Sequence, residues 1–293
     1  SGMWVWRERT EEHLGFRCES KDANPDRAKE LGMMVFPQLS TGATVQYPVH
    51  KTMIRPAFRR DFGGGGSRYY ASAPPSERWE FVLEGLVQSE VETLRTFHEG
   101  VAGRLHTFVF LDPTENLLLH SEDLSEAVWQ RDPLLGVIAG LGDPSGGTAA
   151  FSIENNGSSN ARVFQALSVP GRYQYCLSIF LRGGSAGGVR LSARSGTESV
   201  ERDARAGSNW TREWMSATFQ DGADVQFGLE LAPGASCEVF GAQVDCQPNP
   251  SPYRRSTVKG GVVQRARFVD DDLAVVASGR DEYSIRVGIV RAG

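Results

Sequence analysis

Six short runs of alternating apolar and polar residues decide the fold: RVFQALSV (162–169), YQYCLSIFLR (173–182), GVRLSARSG (188–196), REWMSATF (212–219), VQFGLELA (225–232) and CEVFGAQVDC (237–246). A period of two is the pattern of half-buried β-strands. Turn residues, including Pro170-Gly171 and Gly183-Gly184, separate the runs. Several short strands at this spacing predict an all-β sandwich.

The sequence before this stretch predicts a small α+β unit. RWEFVLEGL (78–86) predicts a strand with Trp79, Phe81 and Leu83 on one face, and LHTFVFLDP (105–113) predicts another. Between them lies an amphipathic helix that begins at a Ser89–Glu92 capping box and stops near Gly103. Its apolar stripe is Val91, Leu94, Phe97 and Val101, and His98 lies opposite this stripe, where we expect it on the surface.

The remaining segments predict loops, a linker and a second contribution to the same unit. Gly63–Gly66 predicts a mobile loop or a hairpin tip, and PNPSPYRRST (248–257) an extended linker. Residues 261–290 predict two or three further strands, and their residue pattern resembles that of the first unit. We therefore predict one domain inserted into another, with these bounds: a flexible leader 1–33, a β-rich domain 34–115 and 258–293, and an insert 116–257.

Composition narrows the class of protein. At about 150 residues per domain, the 293 residues correspond to about two domains. A net charge of −5 argues against nucleic-acid binding, which needs basic surface. No apolar window approaches the ~20 residues of a membrane helix, and we expect neither membrane insertion nor a signal peptide. Cys237 and Cys246 would face each other only across a hairpin at Gly241-Ala242, a poor turn, so we expect no disulfide there.

The sequence contains no recognisable catalytic motif. It lacks GxSxG, HExxH, a P-loop and a GxGxxG after a strand, and its histidines show no metal spacing. We therefore expect a protein that is not an enzyme and has no cofactor. Candidate sugar-binding rings lie in the sandwich segment, although a single such ring more often fills a core. They are Trp129, Tyr173, Tyr175, Trp210 and Trp214.

Several motifs in order carry a family resemblance. NLLLHSEDLSEAVWQ (116–130), DPSGGTA (143–149), NWTREWMSATF (209–219) and FGAQVDCQPNPSPYRRST (240–257) resemble the jelly-roll, carbohydrate-binding-like modules of bacteriophage tail proteins. Leu124 stands where those modules usually have Phe. The resemblance implies a galactose-binding-like sandwich. It also implies a structural calcium in some members, for which Asp123 and Asp245 occupy the corresponding places.

The flanking segments resemble a phage minor-tail or distal-tail protein. The matching features are Phe36-Pro37, the strand around Trp79, the helix, the ending Gly103-Arg104 to Asp112-Pro113, and residues 267–290. The resemblance implies a virion-tail protein that is assembled in the bacterial cytoplasm, forms a ring with copies of itself, contacts other tail proteins and binds cell-surface polysaccharide through the insert. Two alternatives stay open: a free-standing lectin-like protein and, less favoured, a polysaccharide-degrading tail enzyme.

Overall fold

The computed structural model describes residues 34–183, 188–220 and 222–292, and the predicted leader, residues 1–33, lies outside them. The described residues contain one α-helix, α1 (Gln88–Gly100), and eighteen strands. The strands are β1 (His50–Ile54), β2 (Ala57–Asp61), β3 (Ser67–Ala71), β4 (Ser76–Leu86), β5 (Phe108–Leu111), β6 (Gln130–Arg131), β7 (Leu135–Leu141), β8 (Ala150–Asn155), β9 (Ala161–Leu167), β10 (Tyr175–Arg182), β11 (Val189–Ser195), β12 (Glu198–Asp203), β13 (Thr211–Ala217), β14 (Val225–Leu231), β15 (Ser236–Asp245), β16 (Val262–Phe268), β17 (Val275–Gly279) and β18 (Glu282–Arg291). The predicted mainly-β fold is confirmed.

One sheet collects strands from both ends of the described chain. Its order is β1-β4-β18-β16-β5, with β17 paired to β18. The apolar face of β4 lies opposite that of β18, with Trp79 paired to Ile289 and Phe81 to Val287. We call this the first sheet. The inserted-domain bounds stay a prediction, because residues 34–293 form one compact unit.

Helix α1 packs on the first sheet, but it begins differently from the prediction. Val91, Leu94 and Phe97 are buried as predicted. The N-cap is Val87, not Ser89, and Glu90 accepts the backbone N–H of Val87 at 3.1 Å. The predicted capping box is therefore wrong. The Glu90 carboxylate also accepts the backbone N–H and hydroxyl of Ser40, so it fastens the preceding segment to the helix start.

The surface position predicted for His98 is also wrong. Its side chain is buried, and its ring lies 4.9 Å from that of Phe268. The prediction misapplied the helical period: His98 lies seven residues after Val91 and four after Leu94, which places it within the apolar stripe. Phe268 of β16 packs on this same face, since its ring also lies 6.0 Å from that of Phe97.

The sandwich consists of two antiparallel five-stranded sheets. Their orders are β13-β10-β15-β8-β7 and β12-β11-β14-β9-β6. All six runs predicted as strands are strands, and the inward residues of both sheets form one core of aliphatic and aromatic side chains. Cys176, Cys237 and Cys246 are free and buried. Cys237 lies in β15, which continues to Asp245 without a turn, so no hairpin brings Cys246 opposite it.

The segment predicted as an extended linker is instead a packed part of the sandwich. Tyr253 sits on the outer face of the β10–β15 pair, its ring 5.8 Å from those of both Phe180 and Phe240. Ser251 is buried, and its hydroxyl donates to Asp245 at 2.6 Å. The prediction failed because proline and glycine content identifies irregular backbone without showing whether side chains cover it.

A fixed junction joins the first sheet to the sandwich. Strand β5 has two buried faces: Phe110 belongs to the core under α1, and Leu111 to the core of the sandwich. Tyr173 lies at this junction, and its hydroxyl donates to the carbonyls of Val35 and Phe36 at 3.2 and 3.0 Å. The two cores are therefore separate clusters that lie on the two faces of one strand.

A two-stranded hairpin, β2–β3, has every strand residue exposed. Its tip contains Gly63–Gly66, as predicted, and is closed by the N–H of Phe62 donating to the Gly66 carbonyl at 2.8 Å. Phe58 stacks on Tyr70 with ring centroids 5.4 Å apart, while Tyr69 is 71% exposed. In the described part of the chain, no helix is long and apolar enough to cross a membrane.

Candidate functional site

A groove of about 380 Å³ opens at the rim of the sandwich, between the loop that follows Asn116 and the edge pair β7–β8. One wall is polar and comes from the two ends of the predicted insert. The other wall is mostly small or apolar. The lining residues are His120, Glu122, Asp123, Ser125, Ala139, Gly140, Thr148, Ala149, Phe151, Arg255, Ser256 and Thr257. We call this the groove.

Backbone pairing between distant segments builds the polar wall. His120 N–H donates to the Thr257 carbonyl at 2.9 Å, and Ser121 N–H to the Ser256 carbonyl at 3.2 Å. His120 has φ +45, a left-handed conformation that non-glycine residues rarely adopt. The Trp129 indole N–H stabilises this turn by donating to the His120 carbonyl at 3.0 Å.

Glu122 is the most constrained charged group of the groove. Its Oε1 accepts the Tyr253 hydroxyl at 3.0 Å, and its Oε2 lies 3.1 Å from Arg255 Nε. Burial, the largest influence, raises the pKa of Tyr253, and its contact with the Glu122 carboxylate acts in the same direction. The phenol therefore stays a hydrogen-bond donor over the ordinary pH range. The carboxylate keeps its position, and Arg255 remains exposed enough to reach a bound molecule.

The opposite wall is shaped by one aspartate in the loop before β8. Asp143 accepts the backbone N–H groups of Ser145, Gly147 and Ala149 at 2.8 to 3.0 Å. These bonds, with that from Ala149 first, lower the pKa of Asp143. A Cβ on Gly147 would lie 2.6 Å from the carboxylate, so only glycine fits there. The ring of N–H donors fixes Thr148 and Ala149 at the groove.

A small apolar cavity lies directly beneath the groove, between the two sheets, and we call it the inter-sheet cavity. The two share Glu122, Ala149 and Phe151, while the deeper wall includes Leu124, Trp129 and Ile179. The space open to the centre of a water molecule measures about 20 Å³. That is room for one water-sized group.

The structure distributes the five predicted sugar-binding rings over three places. Trp129 is 6% exposed and lines the inter-sheet cavity; Tyr173 and Tyr175 are buried at the junction and in the core. These three offer no open ring face: Tyr175 points inward from β10, and Trp129 and Tyr173, which lie just before strands, pack into the core of the sandwich. Trp210 lies under the Arg182 guanidinium at 4.7 Å. Trp214 is 37% exposed on the edge strand β13, which begins one residue after Trp210, and it lies outside the groove.

The two predicted calcium ligands have other partners. Asp245 is buried and accepts bonds from Gln243 and from the backbone and hydroxyl of Ser251. Asp123 accepts the backbone N–H of Ser125 at 3.0 Å, which closes a local turn at the groove. Across residues 34–183, 188–220 and 222–292, no cluster of three or more His, Cys, Asp or Glu could hold a metal ion.

A second polar surface covers the outer face of the β12-β11-β14-β9-β6 sheet. Glu230 is nearly buried, pairs with Arg194, and accepts the Asn160 amide at 2.7 Å. Arg190 lies 2.8 Å from Asp203 in a neighbouring pair. Opposite charges pair across this face, so these ionic groups make their contacts within the protein.

The sequence arguments missed the main residues of the groove. Glu122, Arg255 and Thr257 lie near the two ends of the predicted insert, and only backbone pairing brings them together. The signal that could have found them is the pair of motifs SEDLS (121–125) and YRRST (253–257), because each lies just inside one end of the predicted insert. Asp123 was predicted as a calcium ligand, and in the structure it lines the groove.

No family model and no curated protein matches the chain. Three similar solved structures are a tailspike protein, a family 22 module and a family 61 module. The enzymatically active domain of bacteriophage CBA120 tailspike protein 4 is 12% identical, with a TM-score of 0.36, and the match covers 46% of this chain but only 22% of that one. The C-terminal family 22 carbohydrate binding module of Clostridium thermocellum Xyn10B is 14% identical over 44% of this chain and 92% of that one, TM-score 0.35. TmCBM61, in complex with beta-1,4-galactotriose, is 11% identical over 44% and 97%, TM-score 0.31.

Proposed function

We propose that this chain is a non-enzymatic protein whose sandwich binds a saccharide in the groove. The observation that carries the proposal is the composition of the two walls. One wall offers the Glu122 and Asp123 carboxylates with the Arg255 guanidinium, and the other offers the apolar atoms of Ala139 and Phe151. Sugar hydroxyls both donate and accept, whereas the C–H face of the ring is apolar, so both kinds of wall are needed. A volume of about 380 Å³ lies in the range of small-molecule sites.

The test is binding of the full chain to an array of bacterial cell-surface glycans and common oligosaccharides. We expect binding that Arg255→Met or Glu122→Gln weakens at least tenfold, because each removes charge-assisted hydrogen bonds. Arg280→Met and Glu99→Gln are matched controls, since both residues are exposed and distant in the fold from the groove. Binding that is unchanged in the groove variants, or absent from the whole array, would contradict the proposal.

We propose that the groove binds without hydrolysing. Both carboxylates have protein partners: Glu122 holds Tyr253 and Arg255, and Asp123 holds Ser125. Glycoside hydrolysis uses one carboxyl group to protonate the leaving oxygen and another on the opposite side of the bond. Reducing sugar released from a bound polysaccharide, and lost in Glu122→Gln, would instead support the polysaccharide-degrading alternative.

A separate observation favours a second role for the first sheet, assembly with copies of the same chain. The β2–β3 hairpin exposes Phe58, Tyr69 and Tyr70, and paired aromatic residues of this kind are frequent in protein interfaces. Residues 55–71 contain four arginines and one aspartate, whereas the whole chain has a net charge of −5. The hairpin is therefore complementary in charge to the rest of a second copy.

On this basis we propose a ring-forming subunit of a phage or prophage tail tip, assembled in the bacterial cytoplasm beside other tail proteins. A ring would multiply a weak saccharide site into avid attachment. Light scattering over a range of concentrations tests the proposal. We expect an oligomer that becomes monomeric in Phe58→Ser with Tyr70→Ser, at unchanged thermal stability. A wild-type monomer at every concentration would favour the free-standing lectin-like alternative.

A further inference from the structure

The inter-sheet cavity adjoins the groove, and the two spaces share part of their walls. Ala149 and Phe151 line both spaces, and Glu122 marks the boundary between them. Below that boundary the wall consists of apolar side chains from both sheets, among them Leu124, Ile179 and Leu229. A group that leaves the groove at Ala149 therefore passes from a polar wall into an apolar space.

The cavity suits a methyl group better than a hydroxyl. The polar side chains on its wall already have partners: the Trp129 indole N–H donates to the His120 carbonyl, the Ser121 hydroxyl accepts the Ser256 N–H and bonds the Tyr253 hydroxyl, and Glu122 holds Tyr253 and Arg255. A buried hydroxyl without a partner is unfavourable, and a water needs two to four polar partners to be stable. A methyl group needs none and fills a space of about 20 Å³.

We propose that the chain selects saccharides carrying a methyl group, either on an acetamido substituent or at a 6-deoxy carbon, and seats that methyl in the inter-sheet cavity. The proposal rests on the proposed saccharide binding and adds the class of sugar. One methyl in a matching apolar pocket discriminates by about 10- to 200-fold. We expect the lower end, about tenfold, because the cavity is only partly enclosed.

Two matched pairs of sugars test the proposal on the full chain by titration and saturation-transfer NMR. N,N′-diacetylchitobiose against cellobiose tests the acetamido source, and L-rhamnose against L-mannose tests the 6-deoxy source. We expect at least one methyl-bearing member to bind about tenfold tighter, with its methyl protons the most strongly saturated. Equal affinity within both pairs overturns the methyl inference and leaves groove binding intact. No binding of any of the four, together with a silent glycan array, overturns both.

A cavity-filling variant connects the preference with the cavity. Ala149→Leu places a larger side chain at the mouth, and we expect the affinity ratio of the matched pair to fall toward one. Ala277→Leu is the control, because Ala277 is exposed on β17 of the first sheet. Thermal unfolding checks both proteins, and Ala149→Val replaces the first variant if it does not fold. A ratio that stays near tenfold in a folded Ala149 variant contradicts the proposal.

Discussion

The first sheet and the sandwich are both antiparallel β-structures, yet they leave different surfaces open. The first sheet is covered on one face by α1, and its neighbouring hairpin exposes every strand residue. The sandwich closes two sheets over one core and carries a groove and a small cavity at its rim. A broad uncovered surface suits a protein partner, whereas an enclosed polar groove suits a small ligand. The difference explains how one chain would combine assembly with binding.

The largest expected effect is a loss of stability in the first sheet, next to the segment that leads into the sandwich. Lys51 Nζ lies 2.8 Å from Asp112 and 2.7 Å from Glu115, and the Asp112 side chain is 1% exposed. Lys51→Met leaves that buried carboxylate without its cation, which costs about 3 kcal/mol. Urea denaturation measures the loss. The exposed Lys259→Met is the control, and an equal effect of both variants would show that the burial of Asp112 does not matter.

The second largest expected effect is a loss of stability in the sandwich. Gly241 has φ +62, and a Cβ there would lie 3.0 Å from the Tyr253 ring. Gly241→Ala combines a left-handed backbone cost of about 1–2 kcal/mol with this contact. Gly234 has φ +71 and open space around it, so Gly234→Ala isolates the backbone cost. We expect Gly241→Ala to be the more destabilising by about 1 kcal/mol in urea, and equal losses would contradict the role of Tyr253.

A third variant tests whether the two regions unfold together. Tyr173→Phe removes the hydroxyl that donates to Val35 and Phe36 at the junction, leaving two carbonyls unsatisfied. The expected loss is about 1–2 kcal/mol. Tyr175→Phe is the matched control, because its hydroxyl bonds Pro170 within the sandwich.

The unfolding curve separates the two tyrosines. Since Phe110 and Leu111 link the cores, we expect a single transition in the wild type and in Tyr175→Phe, and a broadened one in Tyr173→Phe. Two well-separated transitions in the wild type would contradict the fixed junction. The same result would show that the first sheet and the sandwich unfold independently.

Local periodicity predicted the strands, whereas packing between segments that are distant in sequence was missed. The six sandwich strands and the Trp79 face follow from a period of two, which burial of one sheet face imposes. The packed Tyr253 segment depends on the β10–β15 surface, which no local pattern contains. The burial of His98 was open to prediction, because its spacing from Val91 and Leu94 places it in the apolar stripe.

The candidate site shows the same division. Aromatic residues were chosen because sugars stack on exposed rings, but Tyr173 and Tyr175 fall on inward positions of the sandwich. The groove arises because the backbone at His120 pairs with that at Thr257, 137 residues away. Glu122 and Arg255 meet only as a result of that pairing, so their positions in the sequence did not predict the ion pair.

The smallest expected effect is a difference in acid stability between the two regions. Burial opposes ionisation of Glu77, but Lys51 and Arg291 outweigh it and lower the pKa of Glu77 from its ordinary 4.5. A carboxyl group with a lowered folded pKa stabilises the fold above its unfolded value, and that stability is lost as pH falls through the folded value. Wild-type stability should therefore decline below about pH 4.5, by no more than about 1 kcal/mol from this group, because solvent reaches the pair.

Glu77→Gln measures this contribution directly. The variant is less stable than the wild type at pH 7, and we expect the gap to close as the pH is lowered from 5 to 3, since the wild-type carboxylate is then neutralised. Glu99→Gln, on the exposed side of α1, is the control and should show a constant, near-zero gap. If the Glu77→Gln gap were independent of pH, the loss would come from packing, and the charge cluster would not distinguish the first sheet from the sandwich.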